Sequence, residues 1–482
     1  MEKHKAFIVA DLGFGDAGKG SLVDFLCRQA QTPTVVRFNG GAQAAHNVIL
    51  ADGRHHTFAQ FGSGSFVKGT HTLLSRFMLL DPMALANEAE HLYELGLGNV
   101  FTRLFVDEYA LVVTPFQKAA NRIRETMREN GRHGSCGMGI GETMADSIAF
   151  PQMALRARDL RDAEKMCVKM RKIQELKCAE FDDHLSALQT NPLLQTEISF
   201  LRDLRAPERV AEAFRNIAQQ FTIVSGKFLE RLAQQGDLIF EGAQGILIDE
   251  WHGFHPYTTW STATFANALN LLEEIGYDGP VEKIGALRAY LTRHGAGPFP
   301  TEDAALALCL PDTFNGTGKW QGNFRVGWFD SVLLNYAIAV SGGVDSLAVT
   351  NLDRFAGITQ PKICNRYNVI AEDLTAEDRR AADIEPIEEL GCRAVKELKP
   401  KEELTDLTHQ EAITNLLWKS VPQYSQAPGD IKEYLLEIES LLAKPVTIVS
   451  YGPTASEKYF RRDCFAYNNF TDASVGLAPV AV

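Results

Sequence analysis

Asp16 stands inside a run of glycines, Gly13-Phe14-Gly15-Asp16-Ala17-Gly18-Lys19-Gly20-Ser21, and that combination points to chemistry on a phosphate. Glycines let the backbone turn tightly and bring the N–H groups of Gly15, Ala17, Gly18, Gly20 and Ser21 against an anion. Lys19 adds a point charge, and the N-terminus of the helix that follows adds a partial one. The spacing ahead of Gly18-Lys19 is not that of the common Walker loop. A carboxylate in such a loop repels phosphate unless it binds Mg²⁺ or accepts a proton, so Asp16 is a candidate metal ligand and a candidate base.

The elements that must position this loop are legible on either side of it. The apolar run Ala6-Phe7-Ile8-Val9-Ala10 predicts a strand, and Leu22-Val23-Asp24-Phe25-Leu26 the helix after the turn. Further β-rich runs lie at Thr34 to Phe38, Thr72 to Leu74, Asp237 to Phe240, Ser346 to Thr350 and Val446 to Ser450. Several are continuously apolar, as strands of a parallel sheet covered on both faces must be. The fold class is therefore α/β, with a mainly parallel twisted central sheet, helices on both faces, and ligands gathered at the carboxyl edge. Residues 159–235 read as a helical insertion and 372–432 as a charged surface subdomain. Ordered motifs that serve one site make the whole of 1–482 a single elaborated domain.

Composition sets the outer limits. A net charge of −13 speaks against nucleic-acid binding by charge, and no run is apolar over the length a membrane helix requires. Eight cysteines scattered without Cys-x-x-Cys pairing fit reduced thiols in a cytoplasm.

Four further segments follow in order: Val36-Arg37-Phe38-Asn39-Gly40-Gly41-Ala42-Gln43-Ala44-Ala45-His46, Phe240-Glu241-Gly242-Ala243-Gln244-Gly245, Tyr290-Leu291-Thr292-Arg293-His294-Gly295-Ala296-Gly297-Pro298-Phe299-Pro300-Thr301-Glu302, and the pair Thr350-Asn351-Leu352-Asp353 with Ser450-Tyr451-Gly452-Pro453. With the first loop, they make a chain that resembles the adenylosuccinate synthetases almost from end to end. Those enzymes join aspartate to a purine nucleotide at the expense of a nucleoside triphosphate. The resemblance implies that Asp16 removes the purine N1 proton and reaches Mg²⁺, that His46 stabilises the transferring phosphoryl group, and that the carbonyl of Ala45 completes the metal shell. It also implies GTP as donor, with ATP the alternative, held by the first loop and by Asn351, Asp353, Ser450, Tyr451 and Gly452. The acceptor monophosphate would contact Gln43, Cys136, Gln244 and Thr259. Aspartate would meet Thr317, Lys319 and Arg325, and the assembly would be a homodimer.

Some positions depart from the family pattern. Ser135-Cys136-Gly137-Met138-Gly139 stands where Thr-Thr-Gly-Arg-Gly is usual, and Gly316 to Arg325 replaces a run of arginines with Lys319 and Arg325. Asn351 replaces a lysine. Cys136 and Met138 fit either core packing or a changed acceptor, and similar rearranged loops occur in phage-type relatives that act on dGMP. The sequence thus supports a Mg²⁺-dependent ligase acting on IMP, with a dGMP-type acceptor as one alternative. An alternative of another class is a nucleotide-dependent phosphotransferase or nucleotide-binding protein lacking the amine step.

Overall fold

A computed structural model describes residues 3–128, 135–188, 191–312, 323–387 and 391–461. At its centre is a sheet of ten strands, in the order Lys458–Phe460, Val446–Ser450, Ser346–Thr350, Val281–Arg288, Ala6–Asp11, Leu238–Glu241, Thr34–Arg37, His71–Leu74, Leu104–Asp107 and Thr222–Val224. Only the first of these runs antiparallel to its neighbour. The six strands expected from the sequence all lie in this sheet. Ser346–Thr350 is buried at every residue, which is why it reads as an unbroken apolar run instead of an alternation.

The strands that sequence pattern did not single out are Leu104–Asp107, Thr222–Val224, Val281–Arg288 and Lys458–Phe460. Thr222–Val224 lies within residues 159–235 and pairs in parallel with Leu104–Asp107 at the sheet edge. The helices before it, Ala163–Leu188, Gln195–Arg202 and Ala206–Ala218, share a core with Phe116, Ile123 and Leu104. In the last of these, Ala211, Phe214 and Ile217 are buried at helical spacing. Residues 372–432 contribute Ala382–Pro386, Cys392–Leu398 and Val421–Gln426 to a second sheet of five strands, completed by Phe329–Asp330 and Lys362–Ile370.

Parallel pairing fixes where the loops go. Ala6–Asp11 is flanked in register by Leu238–Glu241 and Val281–Arg288, with Val9 opposite both Glu241 and Ile284. Every glycine-rich loop that follows one of these strands therefore opens at the same carboxyl edge. Residues 351–353 and 450–452 emerge at adjacent strand ends on one side of the first loop. Residues 38–46 and 242–245 emerge on the other.

Candidate functional site

The first loop is held mainly by one buried side chain. Asp11, at the end of its strand, accepts from the N–H groups of Gly13 (2.8 Å) and Ala17 (2.7 Å) and from the Lys19 ammonium (3.0 Å). Lys19 also donates to the carbonyl of Gly15 at 2.7 Å and is 2% exposed. The ammonium that sequence alone assigns to a phosphate therefore sits inside the loop as its brace. The helix Lys19–Gln29 starts behind Gly18, whose φ of 80° is the left-handed conformation that glycine adopts without strain.

The neighbouring loops lock onto it by close approach. A Cβ at Gly245 would lie 2.2 Å from the carbonyl oxygen of Gly13, and one at Gly20 would lie 2.7 Å from the Cβ of His46. Asn39 and Ala243 exchange two hydrogen bonds of 2.7 and 2.8 Å, joining the second and third motifs. Thr350 donates to the carbonyl of Ala17 at 3.0 Å, and the Arg288 Nε donates to that of Asp16.

These contacts enclose a cleft of about 720 Å³, whose wall includes Gly15, Asp16, Gln43, Ala45, His46, Cys136, Gln244, Thr259 and His294. The two proposed chemical groups and all four acceptor candidates thus face one space. Both polar atoms of the Gln43 amide are buried without a partner, which suits a side chain waiting for a ligand. Gln244 has φ 67°, a left-handed conformation rare outside glycine, and such strain clusters at ligand sites.

Asp16 has its pKa raised, burial outweighing the opposing pull of His294 and Arg288. His294 Nε2 lies 3.8 Å from Asp16 Oδ2. His46 donates or accepts through Nδ1 at 2.5 Å from Glu241 Oε1. Glu241 is fully buried, takes the Ser63 N–H at 2.9 Å and also the Ser63 hydroxyl. Burial pulls Glu241 upward, but the Arg37 charge and the bonds from His46 and Ser63 win and hold it at about 2. Burial lowers His46 to about 4 against the attraction of Glu241. The resulting state is an ionised Glu241 that accepts from a neutral imidazole at Nδ1, which leaves Nε2 as the reactive nitrogen. Arg37, fully buried, gives Nη1 to the carbonyls of Ala59 (3.0 Å) and Phe61 (3.3 Å) and holds the positive charge beside this pair.

Other candidates lie off the cleft wall. Ser450 donates to the carbonyl of Gly452 at 3.0 Å, and the Lys458 ammonium braces the same turn through the carbonyls of Gly452 (3.1 Å) and Thr454 (2.9 Å). Asp353 is exposed, and Asn351 has φ 60° at the start of a short helix. Arg325 gives its donors to the carbonyls of Gly295 (3.1 Å) and Gly297 (2.9 Å) and to Glu302, so it fastens the loop 294–302. Thr317 and Lys319 lie outside the described residues. Sequence reasoning missed the roles of Asp11, Arg37, Ser63, Glu241, Arg288 and His294. Arg37, Glu241 and His294 stood inside quoted motifs, but only their surroundings in the fold give them a function.

A divalent cation suits the donor chemistry here. Asp16 offers a carboxylate on the wall and Ala45 contributes a residue of the adjoining loop, hard oxygen donors of the kind Mg²⁺ prefers. Among the described residues no three His, Cys, Asp or Glu side chains converge on a metal position, so most of its shell would come from phosphate oxygens and water. No helix among them is long and apolar enough to cross a membrane.

Comparison with known proteins gives a consistent result. The adenylosuccinate synthetase family model matches residues 8–459. The adenylosuccinate synthetase of Polaromonas sp. is 30% identical over 478 residues, covering 95% of this chain and 97% of that protein. That of a Neisseria meningitidis serogroup C strain is 31% identical over 472 residues, covering 97% and 100%. Among solved structures, fully ligated adenylosuccinate synthetase from Plasmodium falciparum superposes with a TM-score of 0.71 at 20% identity, over 94% of this chain and 99% of the other. The cyanophage S-2L succinoaminodeoxyadenylate synthetase, bound to dGMP and dATP as an energy donor, gives 0.57 at 17% identity, over 95% and 96%.

Proposed function

The chain belongs to the adenylosuccinate synthetase family, and on that footing we propose that it joins aspartate to a 6-oxopurine nucleoside monophosphate, IMP in the first instance, as a C–N ligase driven by nucleoside triphosphate hydrolysis. The observation that carries this reading is that Asp16, His46, Gln43, Gln244 and Thr259, drawn from three loops and a turn, line one cleft.

Asp16 accepts the proton of purine N1, for which its raised pKa suits it. The electron pair moves onto the 6-oxygen, which attacks the γ-phosphorus of the donor while the bond to the bridging oxygen breaks. His46, oriented through Nδ1 by Glu241, takes a proton on Nε2 when the triphosphate charge is bound beside it and donates from that N–H to the phosphoryl group in transfer. The amine of aspartate then displaces phosphate at C6. Asp16 and the Ala45 carbonyl would hold Mg²⁺, which neutralises phosphate charge when bound. GTP is the donor, with its base between Asp353 and the turn 450–452, since a carboxylate accepts from the adjacent N–H groups of guanine and repels adenine N1. Gly15, Gly18, Gly20 and Ser21 cradle its phosphates, while Ala17, whose N–H is taken by Asp11, and Lys19 brace the loop behind them. Thr317, Lys319 and Arg325 meet aspartate, and Arg325 also fastens the loop 294–302. The assembly is a homodimer of single-domain subunits in the cytoplasm.

Cys136 on the cleft wall supports a second reading, in which the acceptor is dGMP. The test is a matrix of GTP and ATP against IMP, GMP and dGMP, each with and without aspartate and Mg²⁺, read by phosphate release and product mass. Aspartate-dependent release with one acceptor and a GTP preference of roughly tenfold in kcat/KM fits this assignment. Release without aspartate would refute the ligase, and equal use of ATP the donor.

A further inference from the structure

His294 is a ligand-facing group without a role so far. It ends the strand Leu291–His294, pairs in register with Phe324 on Phe324–Gly327, and its ring rests against the Phe324 ring at 4.9 Å between centroids. Strand pairing and ring contact fix the imidazole on a rigid element, as a substrate-contacting group requires. It lines the same cleft as Asp16, and the two side chains are exposed by 24% and 23%.

We infer that His294 is a further catalytic residue, donating a hydrogen bond from Nε2–H to the 6-oxygen of the acceptor base while Asp16 takes the neighbouring N1 proton. This rests on the ligase reading above. A 6-oxopurine presents a donor, N1–H, beside an acceptor, O6. The protein presents the complement, a carboxylate beside an imidazole. Their 3.8 Å separation is longer than a hydrogen bond, so one ligand edge engages both. The Asp16 carboxylate selects the tautomer, because a proton on the nitrogen that faces it is electrostatically favoured. When Asp16 removes the N1 proton, the pair of electrons delocalises onto O6. A donor already aimed there stabilises that oxyanion without transferring its own proton.

The test compares the unmodified protein with His294→Val and His294→Asn on a 6-oxo acceptor and on its 6-thio analogue, a weak hydrogen-bond acceptor. With the oxo acceptor, His294→Val is expected to lower kcat on the order of 10²-fold, the usual effect of removing one oxyanion donor. KM for triphosphate and aspartate should hold within about threefold, and His294→Asn, which retains an N–H, should recover about tenfold. With the thio acceptor the loss should shrink to a few-fold. A His294→Val enzyme within about threefold of the original on the oxo acceptor would overturn the inference, as would equal loss on both acceptors, the signature of a structural role. An unmodified protein without aspartate-dependent phosphate release would overturn the ligase reading first, and this inference with it.

Discussion

Replacing Glu241 by Gln removes one charge and leaves the shape of the side chain intact. The carboxylate holds three donors, His46 Nδ1 at 2.5 Å, the Ser63 N–H at 2.9 Å and the Ser63 hydroxyl. An amide has a single oxygen. If that oxygen stays on the Ser63 N–H, the amide NH₂ faces Nδ1 and holds His46 neutral, so the imidazolium that the carboxylate supports does not form. Each charge-assisted bond is worth ~1.5–3 kcal/mol, and removing the carboxylate also takes away a negative charge that offsets the buried Arg37 guanidinium. Because the amide keeps part of the network, Glu241→Gln should destabilise the fold by about 3 kcal/mol. Turnover should fall further than stability explains, by ~10²–10⁴-fold, the range spanned by lost acid–base positioning and loss of the carboxylate partner that sets the histidine state. Urea unfolding and single-turnover phosphate release, measured on protein that is still folded, separate the two effects. A variant as stable as the original, or one folded and turning over within about threefold, would refute the assignment of Glu241 as the group that sets the state of His46.

Burial pushes the Asp330 carboxyl up to about 7, although it accepts from the N–H groups of Val332 and Leu333 and from the Tyr367 hydroxyl. A carboxyl that binds its proton more tightly when folded costs no stability below about pH 4, loses ~1.4 kcal/mol per unit between pH 4 and 7, and levels off above. Asp330→Asn should therefore gain about 4 kcal/mol relative to the original at pH 8 compared with pH 4, and thermal midpoints at the two pH values that differ by a constant amount would contradict this. Gly245→Ala drives a Cβ to 2.2 Å from the Gly13 oxygen and 2.5 Å from the Gly15 nitrogen. It should cost ~1–3 kcal/mol and most of the turnover, whereas Gly429→Ala, with nothing within 4 Å, should leave thermal midpoint and turnover unchanged. Equal effects at the two positions would show that the first and third motifs are not held by contact at this glycine.

The sequence by itself determined the parts whose meaning is local. A glycine run after an apolar strand and before a helix is a phosphate-loop geometry wherever it occurs, and continuous apolar runs imply strands covered on both faces. From these came the parallel sheet, the edge at which ligands collect, and Asp16 as a candidate metal ligand and base, whereas His46 entered only through the resemblance to the adenylosuccinate synthetases. Tertiary structure decided every matter that depends on a partner far along the chain. Lys19 reads as a phosphate ligand, and only the fold shows that its ammonium also braces the loop through Asp11 and the Gly15 carbonyl. Arg325 reads as a carboxylate clamp, and only the fold shows that it also bonds Gly295, Gly297 and Glu302. The strand Thr222–Val224 is short and set among helices, so its place at the sheet edge comes from pairing with Leu104–Asp107, which no local pattern encodes. Glu241 and His46 are 195 residues apart in the chain. Burial and proximity give them their charge states, and both are properties of the folded surroundings, which residue type and spacing do not carry.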